Sequence, residues 1–401
     1  DPVMFTNPAP RYAELRRTAP VSTVRSRQLL RGGTGYMVTR YDDVLQVHTD
    51  PRLSSDILRH TRGGRLIRFA PRVMRLLTDS MVFKDDPDHK RLRRLVNRAF
   101  TPKRVQRMTG HIEQVVDELL DDLDRRAEAD GTVDLVADFA TALPLRVISE
   151  MMGVGPADRH DFHRWVERFT TAQADGAVAL LRAMPTGRTM VKLFDRLAAE
   201  RRADPDDGLI TALVRAKEDG DQLDDDEIVG MIFLLLLAGH DTTANLIGSS
   251  VVALLEHPEQ LARFREEPDI AETAVEELLR FTTPVPCGAA RVATEDLEIG
   301  GTEIPKGAQV LGMIISANRD ETVFDDADEL DLGRHPNQHI TFAFGAHYCL
   351  GNQLARLEGR LALRALVARF PDLRVAVPHE ELRFKPTQSL RGYRELPVAL
   401  R

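Results

Sequence analysis

FAFGAHYCLG, residues 342–351, sets Cys349 between Gly345 and Gly351 in a chain of 401 residues that has only two cysteines. A free cysteine acting as a small buried hydrophobe needs no glycine on either side. The segment that follows reads as a helix, with Leu354, Leu357, Leu361 and Leu366 on its apolar side. A thiolate just ahead of a helix amino end is favoured by the dipole and by the free N–H groups there. The glycines permit positive φ and let a flat ligand approach the backbone. Reactive thiol, metal ligand and core filler all stay open on these ten residues.

Composition narrows the setting. Hydrophobic content of 43% and charged content of 29% are those of an ordinary globular protein. A net charge of −8 gives no support for a nucleic-acid footprint, which would be basic. Cys287 and Cys349 build neither a disulfide framework nor a CxxC metal site. The longest apolar run, IVGMIFLLLLAG at 228–239, is twelve residues, short of the roughly 20 that span a bilayer. The amino end, DPVMFTNPAPRYAELRR, has no apolar signal region, and its start at Asp1 implies a short leader ahead of it. A soluble, cytoplasmic protein with no membrane contact is expected.

Helical periodicity covers 89–100, 103–127, 157–169, 188–203, 225–256, 271–280 and 352–369. Strand patterns occur at 35–40, 297–313, 373–377 and 396–400, with Gly300–Gly301 marking a hairpin inside the second. No repeat and no low-complexity linker is visible. The expected class is mainly α with small β-sheets, folded as one unit over 1–401. Its strand-rich lobe draws on roughly 1–55 and 290–315 plus the C-terminal strands.

Four further stretches carry chemistry. The 225–256 helix is apolar nearly all round, yet its centre holds Ala238, Gly239, Asp241, Thr242 and Thr243. A threonine hydroxyl can bond the carbonyl four residues back and open or bend a helix. An acid and an alcohol there suit a small polar ligand or a proton relay, and equally a kink with satisfied hydroxyls. In AVEELLRF, Glu277 and Arg280 share a helix face at i,i+3, a spacing that usually marks a solvated pair. In DPDHKRLRRLVNRAFTPKR, residues 86–104, His89 and Arg93 are four apart and could meet a buried anion. Zinc at Cys349 is poorly supported, since a structural site wants four ligands and Pro336 breaks the helix that would align His335 with His339. A lone thiolate does suit haem iron, whose porphyrin supplies the equatorial ligands.

Taken together and in order, FAFGAHYCLG, LAGHDTT and EELLR resemble the haem loop, oxygen-activation helix and Glu-x-x-Arg pair of a soluble bacterial cytochrome P450. The resemblance covers essentially the whole chain. It implies a single triangular, mostly helical fold holding haem b, with Cys349 as the axial thiolate. Asp241 and Thr242 become the proton-delivering pair, with Ala238 and Gly239 leaving room for dioxygen. His89, Arg93, Arg291 and His347 become partners of the haem propionates, and Gly345 and Gly351 give clearance for the porphyrin. Phe342 packs near the thiolate. Glu277, Arg280 and Arg334 form a bracing triad. The implied reaction is oxygen insertion into a C–H or double bond by a monomer fed by a ferredoxin and ferredoxin reductase. A docking face would use some of Arg94, Arg98, Lys103, Arg104, Arg356 and Arg360.

Substrate choice lies outside those motifs. Residues 57–77 carry six arginines (59, 62, 65, 68, 72, 75) and no acid, as a solvated cationic helix would, or a face for a carboxylate or an acyl carrier protein. Gly176, Pro185 and Gly187 imply a mobile cover over a roomy cavity, fitting a polyketide-like or aromatic natural-product intermediate. A peroxide-driven haem-thiolate enzyme and a haem-based ligand sensor are the alternatives, and the retained Asp241–Thr242 pair disfavours both.

Overall fold

The computed structural model describes residues 7–24, 35–60, 64, 69–98, 100–175, 177–218, 220–385, 387 and 389–401. The chain forms two compact units interleaved in sequence. One takes Asp1–Ser54, Met108–Pro144 and Asp241–Arg401, the other Ser55–Arg107 and Leu145–His240. The helices Ala142–Met151 and Asp225–Glu256 continue across these boundaries.

The first unit is built on a five-stranded sheet in the order Val21–Val24, Gly35–Val38, Gln309–Gly312, Arg291–Ala293, Leu53–Ser54. Only the central pair, Gln309–Gly312 with Gly35–Val38, is parallel. The helix Tyr41–Thr49 packs on this sheet, burying Val44 and Val47 with Val38, Val310, Ile314 and Ile340. Gly312 allows the close approach: a Cβ there would lie 3.1 Å from Val44 Cγ1. The expected hairpin is present, Leu297–Ile299 with Thr302–Ile304, and Gly300 and Gly301 both take positive φ at its turn. A smaller sheet joins Arg374–Val375, Pro397–Ala399 and Val133–Asp134.

In the second unit the helices Pro156–Asp175 and Ala177–Ala203 are longer than their periodicity implied. They interlock through Phe162, Phe169 and Phe194, with Phe194 edge-on to Phe233 at a centroid distance of 5.0 Å. Pro185 lies inside the second of these helices. Gly187 is buried, and a Cβ on it would come 2.9 Å from Val73 Cγ1 and 3.0 Å from Phe169. It is therefore a packing glycine rather than a hinge, which removes it from the expected mobile cover; Gly176 lies outside the described residues. The 103–127 helix divides into Pro102–Arg107 and Thr109–Asp130.

Asp225–Glu256 begins where expected because its entry is capped reciprocally. Asp224 Oδ1 accepts from Glu227 N at 2.8 Å, and Glu227 Oε2 accepts from Asp224 N at 2.9 Å. By length and composition this helix could cross a membrane, but 61% of its most apolar window is buried inside the protein. The helix is unbroken through 238–243, so the threonines open no gap in it.

Behind the cysteine loop, Glu277 and Arg280 on the helix Ala271–Thr282 are both fully buried. Arg280 donates to both Glu277 oxygens at 2.7 Å, and to the carbonyls of Asn318, Ala327 and Glu329. Glu277 also accepts from Arg334 Nε at 3.1 Å, Asn337 Nδ2 at 3.1 Å and the Asp331 amide at 3.0 Å. The pair is thus a buried cluster rather than a solvated surface bridge. Removing one member strands a buried charge, which costs about 3–5 kcal/mol. Glu277→Gln is expected to lower the stability of the protein by that amount in urea unfolding; an unchanged midpoint would contradict the bracing role.

Candidate active site

Asn318 carries the buried cluster to the cysteine loop. Its carbonyl accepts from Arg280, its side-chain amide donates to Thr283 Oγ1 at 3.0 Å and Thr341 Oγ1 at 2.9 Å, and its Oδ1 accepts from Ile340 N at 2.9 Å. Phe342 follows directly, 9% exposed, packed with Leu246, Val275, Leu279 and Cys349. Its carbonyl accepts from the Cys349 amide at 2.9 Å. Asn352 Nδ2 donates to the Cys349 carbonyl at 2.7 Å, tying the cysteine to the first residue of the helix Asn352–Arg369. Arg356, one turn along, lies over the Phe342 ring at 4.4 Å and grips Glu276 through two bonds of 2.6 and 2.8 Å. Burial pushes the Glu276 carboxyl up, but hydrogen bonds from His339 and Arg356 outweigh it and bring it down to about 2.

Two left-handed residues shape the loop, Ala343 at φ +59° and Gly345 at φ +74°. A non-glycine residue there costs roughly 1–2 kcal/mol. A Cβ on Gly345 would also meet the His48 carbonyl at 3.1 Å, so the fold itself requires this glycine, independently of any ligand. At Gly351 the corresponding space is open for 4 Å. His347 is half-buried on the turn Gly345–His347, and Phe344 and Tyr348 are exposed beside it.

On the long helix, His240 and Thr243 are buried, whereas Ala238 and Gly239 are exposed and a Cβ on Gly239 would meet nothing within 4 Å. Open space therefore lies against the middle of an otherwise buried helix. Asp241 and Thr242 are half-buried. Asp241 is ion-paired with Lys385, Nζ to Oδ1 at 3.1 Å. Lys385 sits on a C-terminal turn closed by the Phe384–Tyr393 bridge, whose rings stack at 4.5 Å. Gly392 lets that turn seat on the helix, since a Cβ there would fall 2.0 Å from Asn245 Oδ1. Glu358 is an acid that the sequence did not single out: 2% exposed and hydrogen-bonded to Thr243. Neither Lys385 nor Glu358 has a local sequence signature, because each acquires its role from a partner more than a hundred residues away.

Of the expected anion partners, Arg291 is 6% exposed on its strand in the first unit. In the second unit His89 is 3% exposed and Arg93 half-buried, one turn apart on the helix Asp88–Asn97. His89 Nδ1 lies 3.6 Å from Asp86 Oδ1.

The family model for cytochrome P450 matches residues 36–389. The chain belongs to the cytochrome P450 family. It is 41% identical to cytochrome P450 107B1 of Saccharopolyspora erythraea over 396 residues, 97% of this chain and 94% of that one. It is 37% identical to the polyketide biosynthesis cytochrome P450 PksS of Bacillus subtilis, whose structure it matches with a TM-score of 0.89 over 99% of this chain and 97% of that one. A complex of P450BioI with an acyl carrier protein ligated to hexadec-9Z-enoic acid matches at 33% identity and a TM-score of 0.87, covering each chain fully. The mainly helical fold with small sheets is thus the P450 fold, and the chain is a P450 monooxygenase, an oxidoreductase of a family that binds haem through a cysteine thiolate. The residues present fit that cofactor. Among the described residues no cluster of three or more His, Cys, Asp or Glu could hold a metal ion. An iron on Cys349 must therefore bring its other ligands with it, as porphyrin does.

The neutral acid in this P450 has a pH signature. Burial raises the Glu358 carboxyl from 4.5 to about 8, with Thr243 pulling slightly the other way. Between those values the folded protein holds one proton more than the unfolded chain, so stability falls as pH rises through that window. Glu358→Gln removes this slope, and its melting temperature relative to the wild type is expected to climb between pH 5 and pH 8.5. A difference that stays constant with pH would contradict a neutral Glu358.

Proposed function

We propose that this P450 inserts one atom of O₂ into a C–H or double bond of a polyketide-like or aromatic natural-product intermediate, presented as an anion or on an acyl carrier protein. The observation that carries this reading is near-full-length kinship with a P450 of polyketide biosynthesis, alongside close structural likeness to one crystallised on a carrier protein. The basic segment 57–77 lends narrower support than its composition implied. Arg72 is spent on Asp195, at 2.6 and 2.9 Å, and on Asp226 at 2.8 Å. Arg75 donates to the Ala70 carbonyl, while Arg59 is exposed; Arg62, Arg65 and Arg68 lie outside the described residues.

Haem b, when bound, supplies the reductive activation of dioxygen and the transfer of one oxygen atom. Cys349 would hold its iron, and His89, Arg93, Arg291 and His347 its carboxylates, through charge-assisted hydrogen bonds. The chain's own part is proton handling. Asp241 exchanges protons with solvent and relays them through water to the Thr242 hydroxyl, while Lys385 fixes the direction of the carboxylate. Ala238 and Gly239 keep the adjoining space clear. Electrons come from a ferredoxin and its reductase in the cytoplasm. Arg94, Arg98 and Lys103 are exposed and offer positive charge to an acidic donor; Arg104 bonds the Gly208 carbonyl, Arg356 grips Glu276 and Arg360 bonds Glu272.

With ferredoxin, reductase and ¹⁸O₂, one labelled atom is expected in product and one in water. Thr242→Ala is expected to keep consuming reductant while product falls on the order of 10²-fold and peroxide rises, as loss of a proton donor does. Full product yield from the variant would contradict the relay. In spectral titrations the carrier-bound acid is expected to bind more tightly than the free acid, with an advantage that shrinks in salt; equal, salt-insensitive affinities would remove the carrier.

A further inference from the structure

His48 closes the helix Tyr41–Thr49 and is 7% exposed. Both its ring nitrogens are buried and have no hydrogen-bond partner among the described residues. Burial, and then the charge of Arg291, bring the ring down to about 4, so it is a neutral imidazole with an N–H donor and a lone-pair acceptor. An unmet buried polar group costs on the order of 1–3 kcal/mol, and an apolar residue would avoid it.

The surroundings show that the ring is seated on purpose-shaped backbone. A Cβ on Gly288 would strike His48 Cε1 at 2.6 Å and Nε2 at 3.2 Å. Gly288 leads into the strand that carries buried Arg291. The His48 carbonyl is the atom that a Cβ on Gly345 would meet, at 3.1 Å, on the turn that carries His347 and runs into Cys349. His48 therefore touches both the approach to Arg291 and the cysteine loop.

We propose that His48 is a further haem-binding residue of this P450, donating its ring N–H to a propionate carboxylate shared with Arg291. The proposal rests on the haem-thiolate reading of Cys349. A carboxylate satisfies the donor, balances the Arg291 charge beside the ring, and accounts for a polar side chain in a buried position.

The test compares the haem-loaded wild type with His48→Leu, which keeps bulk, and His48→Gln, which keeps an N–H donor. Two readouts need no turnover: the rate of haem release to excess apomyoglobin, and the propionate bending bands in resonance Raman spectra. The leucine variant is expected to release haem about tenfold faster, in line with loss of one hydrogen bond to a charged group, and to shift one propionate band. The glutamine variant is expected to recover most of both. Should the leucine variant fail to fold, His48→Phe replaces it. A loaded wild type whose variants match it in both readouts would overturn the role of His48 alone, as would a glutamine variant no better than leucine. A wild type that takes up no haem would overturn the family reading and this one with it.

Discussion

Glu277 carries its carboxylate at a depth where neither it nor Arg280 has any solvent exposure. Two ions there are tolerable only if every lone pair and N–H finds a partner. The fold meets this demand by bringing the 318–337 segment around the pair: Arg280 collects three carbonyls from it, and Glu277 takes Arg334, Asn337 and the Asp331 amide. The same segment then hands its order to Thr341 and Phe342 through Asn318, so the cysteine loop hangs from a satisfied charge cluster. The Cys349 backbone is fixed at both ends, its amide on the Phe342 carbonyl and its carbonyl on Asn352.

Polar groups on the long helix follow a related logic. Each acid is held by something remote: Asp241 by Lys385 from a C-terminal turn, and Glu358 against Thr243 from the helix that follows the cysteine. Asp241 is half-buried against a lysine, whereas burial keeps the enclosed Glu358 neutral.

Much of this was legible in the sequence where one strong local pattern governs. The helices 225–256 and 352–369 end where their periodicity ends, and the Gly300–Gly301 hairpin follows from two adjacent residues that accept positive φ. Short helices such as Tyr41–Thr49 and Pro258–Glu266 were not legible, because their burial is decided by a sheet and helices distant in sequence. The Glu277–Arg280 spacing alone pointed to a weak surface pair; depth, which spacing does not encode, makes it a core element. Gly187 looked like a hinge and is a contact point for Val73 and Phe169. Arg72 looked like part of a free cationic face and is held by Asp195 and Asp226. Lys385, Glu358 and His48 left no mark at all, since each is ordinary in its own segment and unusual only beside its partner.

The proposed function depends on one bond, that between Cys349 and the iron of haem. The absorption spectrum of the reduced, carbon-monoxide-bound protein reads it directly. The wild type is expected to show the red-shifted band of thiolate ligation, and Cys349→Ser to lose it. A wild type without that band, or a serine variant that keeps it, would contradict the assignment of Cys349.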